Sequence, residues 1–158
     1  MFKNAAKFVG GGAAIVAVGA GALFLIDYIR YQKSPEYRAM QEVEKIKREY
    51  AEDPYGGQTP EETLRLFIDA LKKGDTDLAA KYFVLDKQDQ WREDLTRIKD
   101  KGLLDDMVRD LERLGNKYPL REKDQSRFIF ESYNQNKELV LQADILRGPS
   151  GKWKIQEL

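Results

Sequence analysis

Residues Thr59 to Phe83 read TPEETLRLFIDALKKGDTDLAAKYF, and most of the fold is decided by how this stretch is read. Thr59 and Glu62 have the spacing of a capping box, and Pro60 suits the first helical position, where a missing N–H costs nothing. Leu64, Phe67, Ile68 and Leu71 then recur at helical spacing, so one face of this helix is apolar. Gly74 closes the helix and Asp75 opens a second, whose buried face is expected to carry Leu78, Ala79, Tyr82 and Phe83.

Downstream, Asp86 can cap a third helix with Trp91, Leu95 and Ile98 on its face, ended by Gly102. A fourth helix carries Leu104, Met107, Val108, Leu111 and Leu114 and stops at Gly115. After Tyr118 and Pro119 the period changes from helical to alternating. Arg127 to Tyr133, Lys137 to Leu146 and Gly151 to Leu158 read as strands, with turns at Asn134 to Asn136 and at Gly148 to Gly151. A fourth strand fits near Leu120. Helices followed by a three- to four-stranded antiparallel meander make an α+β domain over residues 59–158.

Upstream, residues 34–58 read as a helical stalk ending in a linker. Ser34 caps, Pro35 starts the helix, and Tyr37, Met40, Val43, Ile46 and Tyr50 form a narrow stripe among charged residues. Pro54, Gly56, Gly57 and Pro60 then break it. Further back, Phe8 to Ile26 is a run of nineteen residues without a charge. As a helix it reaches roughly 28 Å, close to the thickness of a bilayer's hydrocarbon core. Lys3 and Lys7 flank it on one side and Arg30 and Lys33 on the other, with Phe2, Tyr28 and Tyr31 at belt positions.

A single transmembrane helix is therefore expected within residues 1–33, with the lipid bilayer as its first partner. The alternatives are a cleaved signal peptide and a buried helix, but the apolar run continues past Ala20-Gly21-Ala22 through Leu23 to Ile26, beyond what a signal requires. Ala13, Ala17 and Gly21 repeat at a small-xxx-small spacing that suits packing against another membrane helix, in a homo- or hetero-association. The basic flanks are nearly balanced. An early apolar segment behind a short basic tail has the form of a signal anchor, which places the domain outside the cytoplasm.

The composition removes whole classes of chemistry. Twenty-seven Lys and Arg balance 27 Asp and Glu, with no histidine and no cysteine. Zinc sites built on His or Cys, Cys-His or Ser-His-Asp nucleophiles, haem, disulfides and a lipoprotein anchor are all excluded. No cofactor is expected. Zero net charge argues against nucleic acid as a partner. Arg121, Lys123 and Arg127 form a small basic group interrupted by Glu122 and Asp124, which reads as a solvated approach to a strand.

The phrase TPEETLRLFIDALKKGDTDLAAKYF, followed far downstream by GKWKI at the end of a strand meander, resembles the nuclear-transport-factor-2-like, or cystatin-like cone, superfamily. It looks closest to small bacterial membrane-anchored members of unknown function. The resemblance implies helices packed on a curved sheet, and hosts that range from binding and interaction modules to isomerases and cyclases using a carboxylate in an apolar cone.

Strand alternation tests the last of these. The apolar face carries Phe128, Phe130, Leu139, Leu141, Ala143, Ile145, Trp153 and Ile155 and no carboxylate. Glu131, Asp144 and Lys154 fall on the other face and are expected to meet water. The expectation is a non-catalytic, membrane-anchored domain that binds a small apolar ligand, a peptide or a protein partner, in a pocket lined by Phe67, Leu71, Tyr82, Phe130, Leu141 and Trp153. An accessory subunit of a membrane complex and a cone-type lyase or isomerase are the alternatives.

Overall fold

The structure, a computed structural model, describes residues 28–158. The run 8–26, with Ala13, Ala17 and Gly21, lies outside the described residues. Among the described residues no helix is long and apolar enough to cross a membrane. The chain divides into two compact units, Met1–Lys47 and Arg48–Leu158.

Helix α1 spans Pro35–Glu52. Its start follows from the sequence: Ser34 Oγ accepts the Tyr37 N–H at 3.1 Å, which satisfies one of the unpaired donors of the first turn. None of its residues is buried, and Met40, Val43 and Ile46 are each nearly half exposed.

The second unit is α+β. Helices α2 (Pro60–Lys72), α3 (Thr76–Ala80), α4 (Gln88–Asp100) and α5 (Leu104–Leu111) precede strands β1 (Asn116–Arg121), β2 (Asp124–Tyr133), β3 (Leu139–Arg147) and β4 (Trp153–Glu157). The strands form one antiparallel sheet in the order β1-β2-β3-β4, so the fourth strand near Leu120 is present. Thr59 caps α2 through its hydroxyl, at 3.1 Å from the Glu62 N–H, and Asp75 caps α3 at 2.9 Å from the Leu78 N–H.

The core lies between α2 and the sheet. Phe67, Leu71, Phe83, Leu95, Leu111, Ile145 and Ile155 are all at most 2 % exposed. At its centre Phe83 meets Phe67 edge-on at 5.4 Å and stacks on Trp91 at 4.3 Å. These are the two ring arrangements that the aromatic quadrupole favours.

Several local expectations are corrected. Helix α3 ends at Ala80, so Tyr82 and Phe83 are not helical. Instead Phe83 bridges Ile155 in parallel, the Tyr82 carbonyl accepts the Ile155 N–H, and the Val84 N–H donates to the Ile155 carbonyl. The segment is held by β4, and Tyr82 and Phe83 are buried there all the same. Asp86 caps no helix. It lies in a 3-10 turn, Leu85–Lys87, that no side chain caps, and it accepts a hydrogen bond from the Tyr50 hydroxyl at 3.2 Å. The helix expected to run to Gly115 ends at Leu111, and the Gly115 N–H already donates to the Glu131 carbonyl. In β3 the register shifts beside Ser132 and Tyr133, which leaves Val140 as an extra residue, and Leu139 is half exposed rather than part of the apolar face.

The linker is part of the domain. The Thr63 hydroxyl, fully buried, accepts the Gly57 N–H at 2.9 Å and donates to the Trp153 carbonyl at 2.9 Å, so one side chain ties linker, α2 and β4 together. A Cβ on Gly57 would stand 2.6 Å from the Thr63 nitrogen, and only glycine allows this approach.

Candidate functional site

Three residues along α5 and the turn before it, Leu103, Met107 and Leu111, are four apart and so lie on one face. Trp91 and Ile98 of α4, seven apart, form the facing wall. Gly102, at φ +71°, makes the turn that brings the two helices together. With Leu141 of β3 and Leu158 they line a pocket of about 390 Å³, and Asp106 and Asp110 are its acidic residues. That volume lies in the range of small-molecule sites, and the wall is almost wholly hydrocarbon with an indole and a thioether. Asp106 and Asp110 pair with Arg109 and Arg113 of their own helix turns, at 2.9 and 3.2 Å.

Of the pocket residues expected from sequence, Leu141 lies in this wall. Phe67 and Leu71 are in the packed core, as are Tyr82 and Trp153, each 7 % exposed. Phe130 is buried too, at the floor of a separate and more polar groove between α2 and α5, spanned by the Lys72–Glu112 ion pair at 2.6 Å. Trp91, Ile98 and Met107 were legible as apolar helix positions. Their meeting around a gap depends on how α4 crosses α5, which periodicity does not carry.

The far side of the sheet corrects a larger expectation. Glu131, Asp144 and Lys154 do not meet water: they are 8 %, 7 % and 4 % exposed. Glu131 lies under two phenols, whose hydroxyls donate one to each carboxylate oxygen, Tyr133 at 2.6 Å and Tyr118 from the neighbouring strand. Asp144 is held by Arg127, whose Nε lies 2.8 and 3.1 Å from its two oxygens while one terminal nitrogen also donates. Lys154 makes an ion pair with Asp53 at 2.5 Å, with both side chains 5 % exposed, and donates to the Lys81 carbonyl at 2.8 Å. Alternation assigned these groups to the outer face correctly. Their burial comes from long side chains folded over that face and from the segment at Asp53, which alternation does not see.

These contacts set the titration behaviour. The two phenol hydrogen bonds, Tyr118 first, hold the Glu131 carboxyl below its ordinary value. The same carboxylate, through its hydrogen bond, pushes the Tyr118 phenol up to about 12. A folded value above the unfolded 10.0 means that this contact stabilises the fold below about pH 10 and is lost as the pH rises through about 12. In a spectrophotometric titration Tyr118 is expected among the last phenols to ionise, and Glu131→Gln should bring its transition down towards 10. An unchanged curve would contradict the pairing.

No family model, curated protein or solved structure matches the chain. Among the described residues, no group of three acidic, His or Cys side chains is placed to hold a metal.

Proposed function

We propose that the chain is a single-pass membrane-anchored protein whose α+β domain, outside the cytoplasm, binds an apolar group of a small ligand, a peptide or a partner protein without catalysing a reaction on it. The pocket between α4 and α5 carries this reading, because Leu103 stays 45 % exposed beside Met107 and Trp91 instead of closing into the core. The uncharged run Phe8 to Ile26 supports the anchor, and the resemblance to the cone superfamily supports a binding domain.

A binding role is favoured over chemistry by what the carboxylates do. Glu131 is engaged by two tyrosines, Asp144 by Arg127, Asp53 by Lys154, and the acids of the pocket by their own arginines. A general base needs a carboxylate aimed at substrate among apolar walls. The runner-up, an accessory subunit of a membrane complex, is favoured by the exposed Met40, Val43 and Ile46 of α1, a stripe that a partner helix would cover.

Because the chain contains no cysteine, a single Ser150→Cys variant gives a clean topology probe. Expressed as the full chain, it is expected to react with a membrane-impermeant maleimide on intact cells. Labelling only after lysis would overturn the extracytoplasmic placement.

A further inference from the structure

The sequence shows Arg121 and Arg127 as part of a broken basic group, and nothing in it connects them to Arg147. The fold does. In the strand register Arg121 lies opposite Asp124 at the β1–β2 turn and Arg127 lies opposite Leu146 across β2 and β3, which puts Arg147, the next residue of β3, at the same end of the sheet. The three arginines line one cavity of about 290 Å³, together with Ser126 and the side chains of Leu120 and Leu146.

The arginines are not all spent. Arg127 commits its Nε and one terminal nitrogen to Asp144, which leaves the other terminal nitrogen. Arg147 donates its Nε to the Gly151 carbonyl at 3.2 Å, which leaves both terminal nitrogens. Arg121 makes no side-chain hydrogen bond among the described residues. Against these charges stand Asp144, bound to Arg127, and Asp124, which accepts the Ser126 N–H at 2.9 Å. Three guanidinium groups against two carboxylates leave one positive charge, so the cavity matches a monoanion with several acceptor oxygens. Leu120, 45 % exposed, offers such an anion an apolar flank.

We propose that this cavity binds a phosphodiester monoanion, as carried by an anionic phospholipid head group or by a free glycerophosphodiester. Guanidinium forks match phosphate oxygens in pairs, and the leucines beside them suit the ester arms rather than a bare ion. The site lies apart from the α4–α5 pocket and does not depend on the reading of that pocket.

The test uses the full chain in nanodiscs of the uncharged, phosphate-free lipid digalactosyldiacylglycerol, titrated with soluble glycerophosphoglycerol and followed by amide chemical shifts at Ser126 and Gly148. A second arm compares amide exchange of β1 and β2 in discs with and without phosphatidylglycerol. Saturable shifts, or protection only in phosphatidylglycerol discs, are expected; the first identifies a free diester and the second a lipid as the source. Arg121→Ala should weaken either response roughly tenfold, the scale of one charge-assisted hydrogen bond, and adding Arg147→Ala should weaken it further. Arg121 is exposed and makes no structural hydrogen bond, so its loss leaves the fold intact. Silence in both arms, responses indifferent to both substitutions, or tighter binding of oligothymidylate than of either probe would overturn the proposal.

Discussion

Replacing Phe83 by alanine is expected to lower the free energy of unfolding by about 3–5 kcal/mol, the range for emptying a fully buried phenylalanine site. The ring is 0 % exposed and makes two aromatic contacts at once, with Phe67 and with Trp91. Each such pair adds roughly 0.5–1.5 kcal/mol beyond area burial. The site also cannot collapse easily, because Phe83 is bridged to Ile155 of β4 through its backbone. Phe83→Leu, which keeps most of the volume, should recover a large part of the loss. Urea unfolding of the two variants checks this. A Phe83→Ala cost below about 1 kcal/mol would place the ring outside the core, contrary to what large-to-small core substitutions give.

Asp53→Ala should be comparably severe, about 3–5 kcal/mol, for a different reason: it leaves the Lys154 ammonium buried without its counter-charge. Removing both charges, in Asp53→Ala with Lys154→Met, is expected to restore most of that stability, since the cost lies in the uncompensated ion rather than in the lost pair. The pH dependence gives an independent check. Burial pushes the Lys154 pKa below its ordinary 10.5, against the opposing pull of Asp53. Between the lowered folded value and 10.5 the unfolded chain binds more protons than the folded one, so this residue's contribution to stability rises with pH across that window. It is fully present above 10.5 and lost as the pH falls through the folded value. Lys154→Met should remove that rise. Equal pH profiles for the two proteins would show that Lys154 titrates as a solvated amine.

The limits of sequence reading follow the same residues. Signals that act within a turn or two were legible: the Thr59 and Asp75 caps, the apolar face of α2, and the change of period after Tyr118. The strand faces were legible as well, since Phe130, Ala143, Ile145, Trp153 and Ile155 are all buried as a set. What depends on two distant segments was not. Asp86 has the composition of a cap, yet its partner is Tyr50, thirty-six positions away. Tyr82 and Phe83 continue a helical pattern, but their N–H groups only close a turn onto the Ala79 and Ala80 carbonyls, and the backbone then leaves α3 to meet Ile155 of β4. The burial of Glu131 and Lys154 requires the strand register and the fold of the linker. The α4–α5 pocket was invisible for the converse reason, because its residues are ordinary core types and only their packing leaves a gap.

Whether this gap receives an apolar group is read at Met107, whose thioether lies in its wall. In the full chain with its methionine methyl groups labelled with ¹³C, titration with naphthalene should move the Met107 methyl resonance saturably while that of the exposed Met40 stays in place. Filling the gap with Leu103→Trp should abolish the shift without unfolding the domain. A Met107 resonance that does not respond, or that moves no more than Met40, would contradict the assignment of a binding pocket between α4 and α5.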